Sequence, residues 1–159
     1  MVDAELTTVD ALAQLSFVVQ AALERRAAEQ DLSMIQTRLL GVLRDRTPTM
    51  NELAALLELD KSSVTGLVDR AERRGLVERV PSTADRRAVN VRLTSTARKL
   101  ITRAASGFEA DVAEILGSLP AADQRMLATL ISRVLIAHAT DHGVNLFPRQ
   151  RGQRPTARP

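Results

Sequence analysis

Thr49-Met50-Asn51-Glu52-Leu53-Ala54-Ala55-Leu56-Leu57-Glu58-Leu59-Asp60-Lys61-Ser62-Ser63-Val64-Thr65-Gly66-Leu67-Val68-Asp69-Arg70-Ala71-Glu72-Arg73-Arg74-Gly75-Leu76-Val77 carries the signals of two short helices joined by a tight turn. Thr49 and Glu52 stand at capping-box spacing, so the hydroxyl can take the Glu52 amide while the carboxylate reaches back to the Thr49 amide. Leu53, Ala54, Leu56 and Leu57 give that helix an apolar face. Glu58-Leu59-Asp60 leaves room only for a tight turn, and Asp60 can cap the next helix while favouring the positive end of its dipole. In the second helix Val64, Leu67, Val68 and Ala71 repeat at i, i+3, i+4, i+7, which buries one stripe and leaves Ser62, Gly66, Asp69 and Arg73 outside. Gly75 then falls where a left-handed residue closes a helix.

Beyond Gly75 the pattern changes to period two. Val77 and Arg79, then Val89, Val91 and Leu93, alternate with polar residues as in a half-buried hairpin whose loop runs from Pro81 to Arg87. Helix, tight turn, helix and hairpin in this order predict a mainly α fold with a small β-hairpin wing, a winged helix-turn-helix. A capped helix with a small outward face fits a DNA major groove, which admits one α-helix. Ser62, Ser63 and Thr65 are the side chains nearest base edges, and Gly66 lets the backbone approach closely at a cost of about 1 kcal/mol against alanine. Lys61, Arg70, Arg73 and Arg74 can reach phosphates on either side. Asp69 repels phosphate unless it pairs with Arg70 or Arg73. At the wing tip Asp85 can hold one of Arg86 and Arg87 extended while the other enters a narrow, A·T-rich minor groove.

These residues resemble the MarR family of bacterial winged-helix transcriptional regulators. The resemblance spans residues 6 to 142 and is most specific at Leu53-Ala54, at the run from Asp60 to Val77, at Asp85-Arg86-Arg87 and at Leu93-Thr94. Gly66 departs from it, since many relatives carry a larger, often basic residue there. The resemblance implies a homodimer on a palindromic operator, acting as a repressor released by a small-molecule effector. It also implies an effector pocket between the dimer helices and the winged helix, with Phe17, Met34 and Arg38 as candidate liners and Arg38 able to meet an anionic ligand.

The flanking segments suit pairing of two chains. Residues 7 to 29 form an amphipathic helix with Leu12, Leu15, Val19, Ala22 and Leu23 on one side. Ser33 and Gln36 make another capping box, opening a helix with Ile35, Leu39, Val42 and Leu43 inside. Thr94 caps a helix striped by Leu100, Ala104, Phe108, Val112 and Ile115, and the last helix, after Pro120, carries Leu127, Leu130, Ile131, Val134 and Leu135. That is more apolar surface than one small domain needs, so part of it is expected to lie between subunits. The expected division is residues 1–32 as an N-terminal dimerisation helix, 33–93 as the winged helix, 94–147 as C-terminal dimerisation helices and 148–159 as a basic disordered tail.

At 159 residues and 45% hydrophobic the chain can bury one core, built from aliphatic side chains because aromatics are only 2%. The absence of cysteine excludes disulfides and thiol sensing. No apolar run is long enough for a membrane span, and the expected location is the cytoplasm. Of the 22 basic residues, Arg149, Arg151, Arg154 and Arg158 lie in the tail, which leaves 18 against 19 acidic groups in residues 1–148. Such a tail can add non-specific DNA affinity through counterion release, or be a solvated terminus without a role.

Two other functional classes compete. An architectural, sequence-tolerant DNA binder would use the wing and the tail, and a metal-responsive regulator of the same fold would use His138, Asp141 and His142, spaced i, i+3, i+4 on one helical face. Imidazoles at a helix C-terminus are also accounted for by the dipole alone, so no metal and no cofactor is expected. With no glycine-rich phosphate loop, no nucleophile elbow and both histidines together at one helix end, an enzyme is not expected.

Overall fold

The computed structural model describes residues 6–82 and 87–141. Six helices and one hairpin follow in the order α1 (Thr8–Ala28), α2 (Met34–Arg44), α3 (Met50–Leu57), α4 (Lys61–Arg73), β1 (Val77–Pro81), β2 (Val89–Leu93), α5 (Ser95–Ile115) and α6 (Ala121–Asp141). This is the expected mainly α fold with a β-hairpin wing.

Local chemistry sets most of the boundaries. Both capping boxes form: Ser33 with Gln36 opens α2, and Thr49 with Glu52 opens α3, the Thr49 amide donating to Glu52 Oε2 at 2.8 Å. Asp60 caps α4 by accepting the Ser63 amide at 2.9 Å. At the other end of α4, Gly75 has φ +67°, with its amide on the Glu72 carbonyl and the Leu76 amide on the Ala71 carbonyl. That is a Schellman closure with glycine in the left-handed position. The α3–α4 turn closes in the same way without a glycine, because Glu58 takes φ +56° and Leu59 donates to the Ala54 carbonyl. Thr94 caps α5 and also donates its hydroxyl to the Gly75 carbonyl at 2.7 Å, which ties the start of α5 to the end of α4.

The core lies where α2, α3, α4 and β2 converge, around Leu39, Leu43, Leu53, Leu57, Val68 and Val91. All four apolar positions of the α4 stripe, Val64, Leu67, Val68 and Ala71, are buried. The hairpin is antiparallel, pairing Val77 with Leu93, Arg79 with Val91 and Pro81 with Val89. Val77, Val91 and Leu93 are buried, but Val89 is 40% exposed, so the alternation expected across the whole hairpin stops short of it. β1 packs on α4 and β2 on α2, α3 and α5, and Val89 at the loop end of β2 is left outside that cover. Val91 also donates its amide to the Pro48 carbonyl at 2.9 Å, which fastens β2 to the segment leading into α3.

The two terminal helices are less covered. Leu12 and Phe17 on α1, and Met126, Leu130, Val134 and Ile136 on α6, are exposed large apolar side chains. α1 packs on α5, whereas α6 packs only marginally on the other described elements. Among the described residues no helix is long and apolar enough to cross a membrane.

Candidate nucleic-acid interface

α4 presents the surface that the sequence singles out. Lys61, Ser62, Ser63, Thr65, Arg70 and Arg73 are exposed, and Gly66 is half-buried. The hydroxyls of the N-terminal half are already engaged. Ser62 donates to Asp60 Oδ1 at 2.6 Å, Ser63 to Asp60 Oδ2 at 2.7 Å, and Thr65 to the Lys61 carbonyl at 2.7 Å. The Ser62 and Ser63 hydroxyls, with the Ser63 amide, hold the Asp60 carboxyl well below the usual carboxylate range.

Gly66 accommodates a neighbour within the helix. A Cβ built there would come 3.3 Å from Arg70 Nη1, so the guanidinium of Arg70 occupies the space that the missing side chain leaves. Ser62, Ser63, Gly66 and Arg70, together with Ile35, Leu59 and Leu67, border a shallow cavity of about 320 Å³.

The expected pairing of Asp69 is corrected. Asp69 pairs with neither Arg70 nor Arg73; its partner is Arg79 of β1, whose Nη2 lies 2.6 Å from Asp69 Oδ1. Arg79 also donates through Nη1 to Glu72, and its amide donates to Glu72 Oε1 at 3.3 Å. Burial works against the Arg79 charge, but the bonds to Asp69 and Glu72 outweigh it and raise its pKa. One arginine thus bridges two carboxylates a turn apart on α4, offsetting half of their charge, and joins the wing to that helix. Arg74 is engaged within the chain: its Nη1 donates to the Asp31 carbonyl at 2.8 Å and to Gln36 Oε1 at 3.1 Å. The spacing of Asp69 and Glu72 at i, i+3 was visible in the chain. The return of Arg79 to meet them depends on where the hairpin folds back.

At the wing, Arg87 is exposed in the turn before β2, and the Ser82 amide bonds to the Ala88 carbonyl at 3.0 Å across the loop base. Asp85 and Arg86 lie outside the described residues, as does the basic tail.

The three candidate effector liners do not gather around a described cavity. Phe17 is 70% exposed on α1, Met34 packs against the core, and Arg38 is exposed on α2. A cavity of about 400 Å³ lies instead between α2 and α5 and is bordered by Arg44, Leu93, Arg98, Ile101, Thr102 and Glu109 among others. His138 and Asp141 sit in the last turn of α6, and His142 lies outside the described residues. Among the described residues no cluster of three or more His, Cys, Asp or Glu could hold a metal ion.

Sequence reasoning missed the ion pairing behind the winged helix. Arg26 of α1 bonds Asp111 of α5 through Nε at 2.8 Å and Nη2 at 2.6 Å, while Glu29 accepts from Nη1 at 3.0 Å and Arg25 approaches Asp111 at 3.5 Å. The Arg26 hydrogen bonds lower the Asp111 pKa, and that of Arg26 is raised in return. Gly107 lies one turn before Asp111, where a Cβ would stand 3.1 Å from Arg26 Cδ.

Residues 30–88 match the family model described as MarR family. The HTH-type transcriptional regulator PecS of Dickeya dadantii is 26% identical over 133 residues, covering 81% of this chain and 80% of the relative. The HTH-type transcriptional repressor NicR of Pseudomonas putida is 30% identical over 117 residues, with 72% and 73% covered. The fold is shared with the S. aureus MepR–DNA complex, at a TM-score of 0.66 and 21% identity over 84% of this chain and 99% of that one. The chain therefore belongs to the MarR family of transcriptional regulators.

Proposed function

We propose that the protein is a homodimeric, sequence-specific repressor that binds a two-fold-symmetric operator and is released by a small-molecule effector. The observation that carries this reading is α4: a helix capped by Asp60, buried along one stripe, with Lys61, Ser62, Ser63, Thr65, Gly66, Arg70 and Arg73 on the other face beside a clamped wing. In this reading the small polar residues meet base edges in the major groove. Lys61, Arg70 and Arg73 meet phosphates, and the wing tip with Asp85, Arg86 and Arg87 enters the minor groove. Its site of action is the cytoplasm, where the operator is.

Dimerisation is supported by the exposed apolar side chains of α1 and α6, which a second copy would cover. A two-fold axis would set two copies of α4 about one DNA turn apart, roughly 34 Å. Residues 1–32 and 94–147 then form the dimer and residues 33–93 the reading head. NicR is named a repressor and MepR was solved on DNA, which supports the direction of regulation and the ligand. For the effector, this reading takes Phe17 on the exposed face of α1 with Met34 and Arg38 on α2 as the residues that would line a pocket completed by a second copy.

The test is selection of bound fragments from a random duplex pool at physiological salt. A two-fold motif preferred over random DNA by at least about a thousandfold is expected. Equal retention of all sequences would overturn the reading and leave a sequence-tolerant DNA binder.

A further inference from the structure

The three hydroxyls on the exposed N-terminal half of α4 all point their protons inward. Ser62 and Ser63 each meet one oxygen of the Asp60 carboxylate, at 2.6 and 2.7 Å, and Thr65 meets the Lys61 carbonyl at 2.7 Å. An ionised carboxylate and a peptide carbonyl can only accept, so in each pair the hydroxyl must be the donor. The polarity follows from the partner's chemistry and needs no observed hydrogen. A hydroxyl has one proton, and once it is committed the outward side offers lone pairs alone. Asp60 stays ionised throughout the physiological range, because the same hydroxyls hold its carboxyl well below the usual range.

We infer that α4 reads exocyclic amino groups, cytosine N4 or adenine N6, in the major groove, with Ser62, Ser63 and Thr65 acting as hydrogen-bond acceptors, Asp60 setting the polarity of the two serines and the Lys61 carbonyl that of Thr65. This rests on the reading of α4 as the recognition helix. In the major groove those two amino groups are the only donors, whereas guanine N7 and O6, adenine N7 and thymine O4 are acceptors. Lone pairs facing acceptors repel, so the same arrangement that favours an amino group disfavours guanine and thymine at that position. Turning a serine proton outward would break a charge-assisted bond, stronger than a neutral one, and leave part of the Asp60 carboxylate unpaired beside phosphates. Asp60 touches no base in this arrangement. It is a positioning residue.

The experiment starts from a site selected from a random duplex pool. Single adenines are replaced by purine and single cytosines by 2-pyrimidinone, each lacking only the amino group, and guanines separately by 7-deazaguanine. At positions facing α4, wild type should lose about 3- to 10-fold in affinity on amino-deleted DNA, while Ser63→Ala should lose nothing further at the position Ser63 contacts. Asp60→Asn keeps a good helix cap, but its amide nitrogen, taking the place of Oδ2, donates to Ser63 and turns that proton outward. Repeating the selection with Asp60→Asn should move the preferred base at that position from an amino-bearing to an acceptor edge. If amino deletion costs nothing while 7-deazaguanine does, the polarity is overturned and DNA reading by α4 stands. If no motif is enriched and the Ser63 variant matches wild type on every sequence, the recognition-helix reading fails first and this inference with it.

Discussion

Arg26 and Asp111 lie 85 residues apart in the chain and meet through two hydrogen bonds, of 2.8 and 2.6 Å, that join α1 to α5. Gly107 makes this possible, because any Cβ there would stand 3.1 Å from both Arg26 Cδ and Nε. Arg26 cannot give way without loosening its bonds to Asp111 and Glu29. Gly107→Ala should therefore fail to show the gain of about 1 kcal/mol that alanine brings to a helix interior, and should lower the melting temperature. In an Arg26→Ala background the same change should stabilise. A double-mutant cycle by thermal unfolding checks the sign reversal.

The same pair sets a response to acid. Asp111 and Asp60 both have folded pKa values below their ordinary ones, Asp111 through Arg26 and Asp60 through Ser62 and Ser63. Their folded forms hold protons less tightly than the unfolded chain, so the stability they contribute is complete above the unfolded value and is lost as pH falls through the folded one. Denaturant midpoints should be flat from neutral pH to about pH 5 and fall below about pH 4. Asp111→Asn should lower the plateau and shrink the fall.

Glu58 and Gly75 occupy the same left-handed backbone region, at φ +56° and +67°, each closing a helix. Only one of them is a glycine. A side chain in that region costs about 1–2 kcal/mol, partly offset by the greater freedom of glycine in the unfolded chain. Glu58→Gly should leave stability unchanged or raise it by up to about 1 kcal/mol, and Gly75→Ala should lower it by about 1 kcal/mol. Chemical denaturation of both variants measures the contrast.

Arg79 pairs with both Asp69 and Glu72 on the helix proposed to meet DNA and offsets half of their charge. Arg79→Gln should weaken operator binding about 3- to 10-fold, with the circular-dichroism spectrum retained, because two carboxylates then face the phosphates uncompensated. Adding Asp69→Asn and Glu72→Gln should restore most of the loss. If affinity stays low in the triple variant, the arginine acts through the wing's position and not through charge.

Val134 is 67% exposed on α6. In a monomer Val134→Glu would be harmless, whereas in the proposed dimer it buries a charge. Sedimentation equilibrium should show wild type as a dimer at micromolar concentration and the variant dissociating at least about tenfold more readily, consistent with the cost of an unpaired buried charge.

Legibility followed how local each signal was. The caps at Ser33, Thr49, Asp60 and Thr94 and the closure at Gly75 are decided by residues within a turn of one another, and all were readable from the chain. The α4 stripe was readable because its period is a property of one helix. The Asp69–Arg79 pair was not, since it depends on the angle at which β1 leaves α4, and an i, i+4 partner was the nearer guess. Arg26–Asp111 was invisible for the same reason at greater distance. At Val89 the alternation of β2 was right, but the strand outruns the surface that would bury it. Ser62, Ser63 and Thr65 were identified as candidate base readers from type and position. The polarity of their hydroxyls became visible only with the Asp60 and Lys61 oxygens in place.

Each strand of the hairpin is anchored to a different helix of the head: β1 to α4 through Arg79, and β2 to the lead-in of α3 through the Val91–Pro48 bond. To swing on its own hinge, the wing would have to break both of these attachments. In the proposed dimer, a signal that abolishes operator binding would then act on the distance or tilt of one head relative to the other, so that the quantity being switched is a spacing along the DNA.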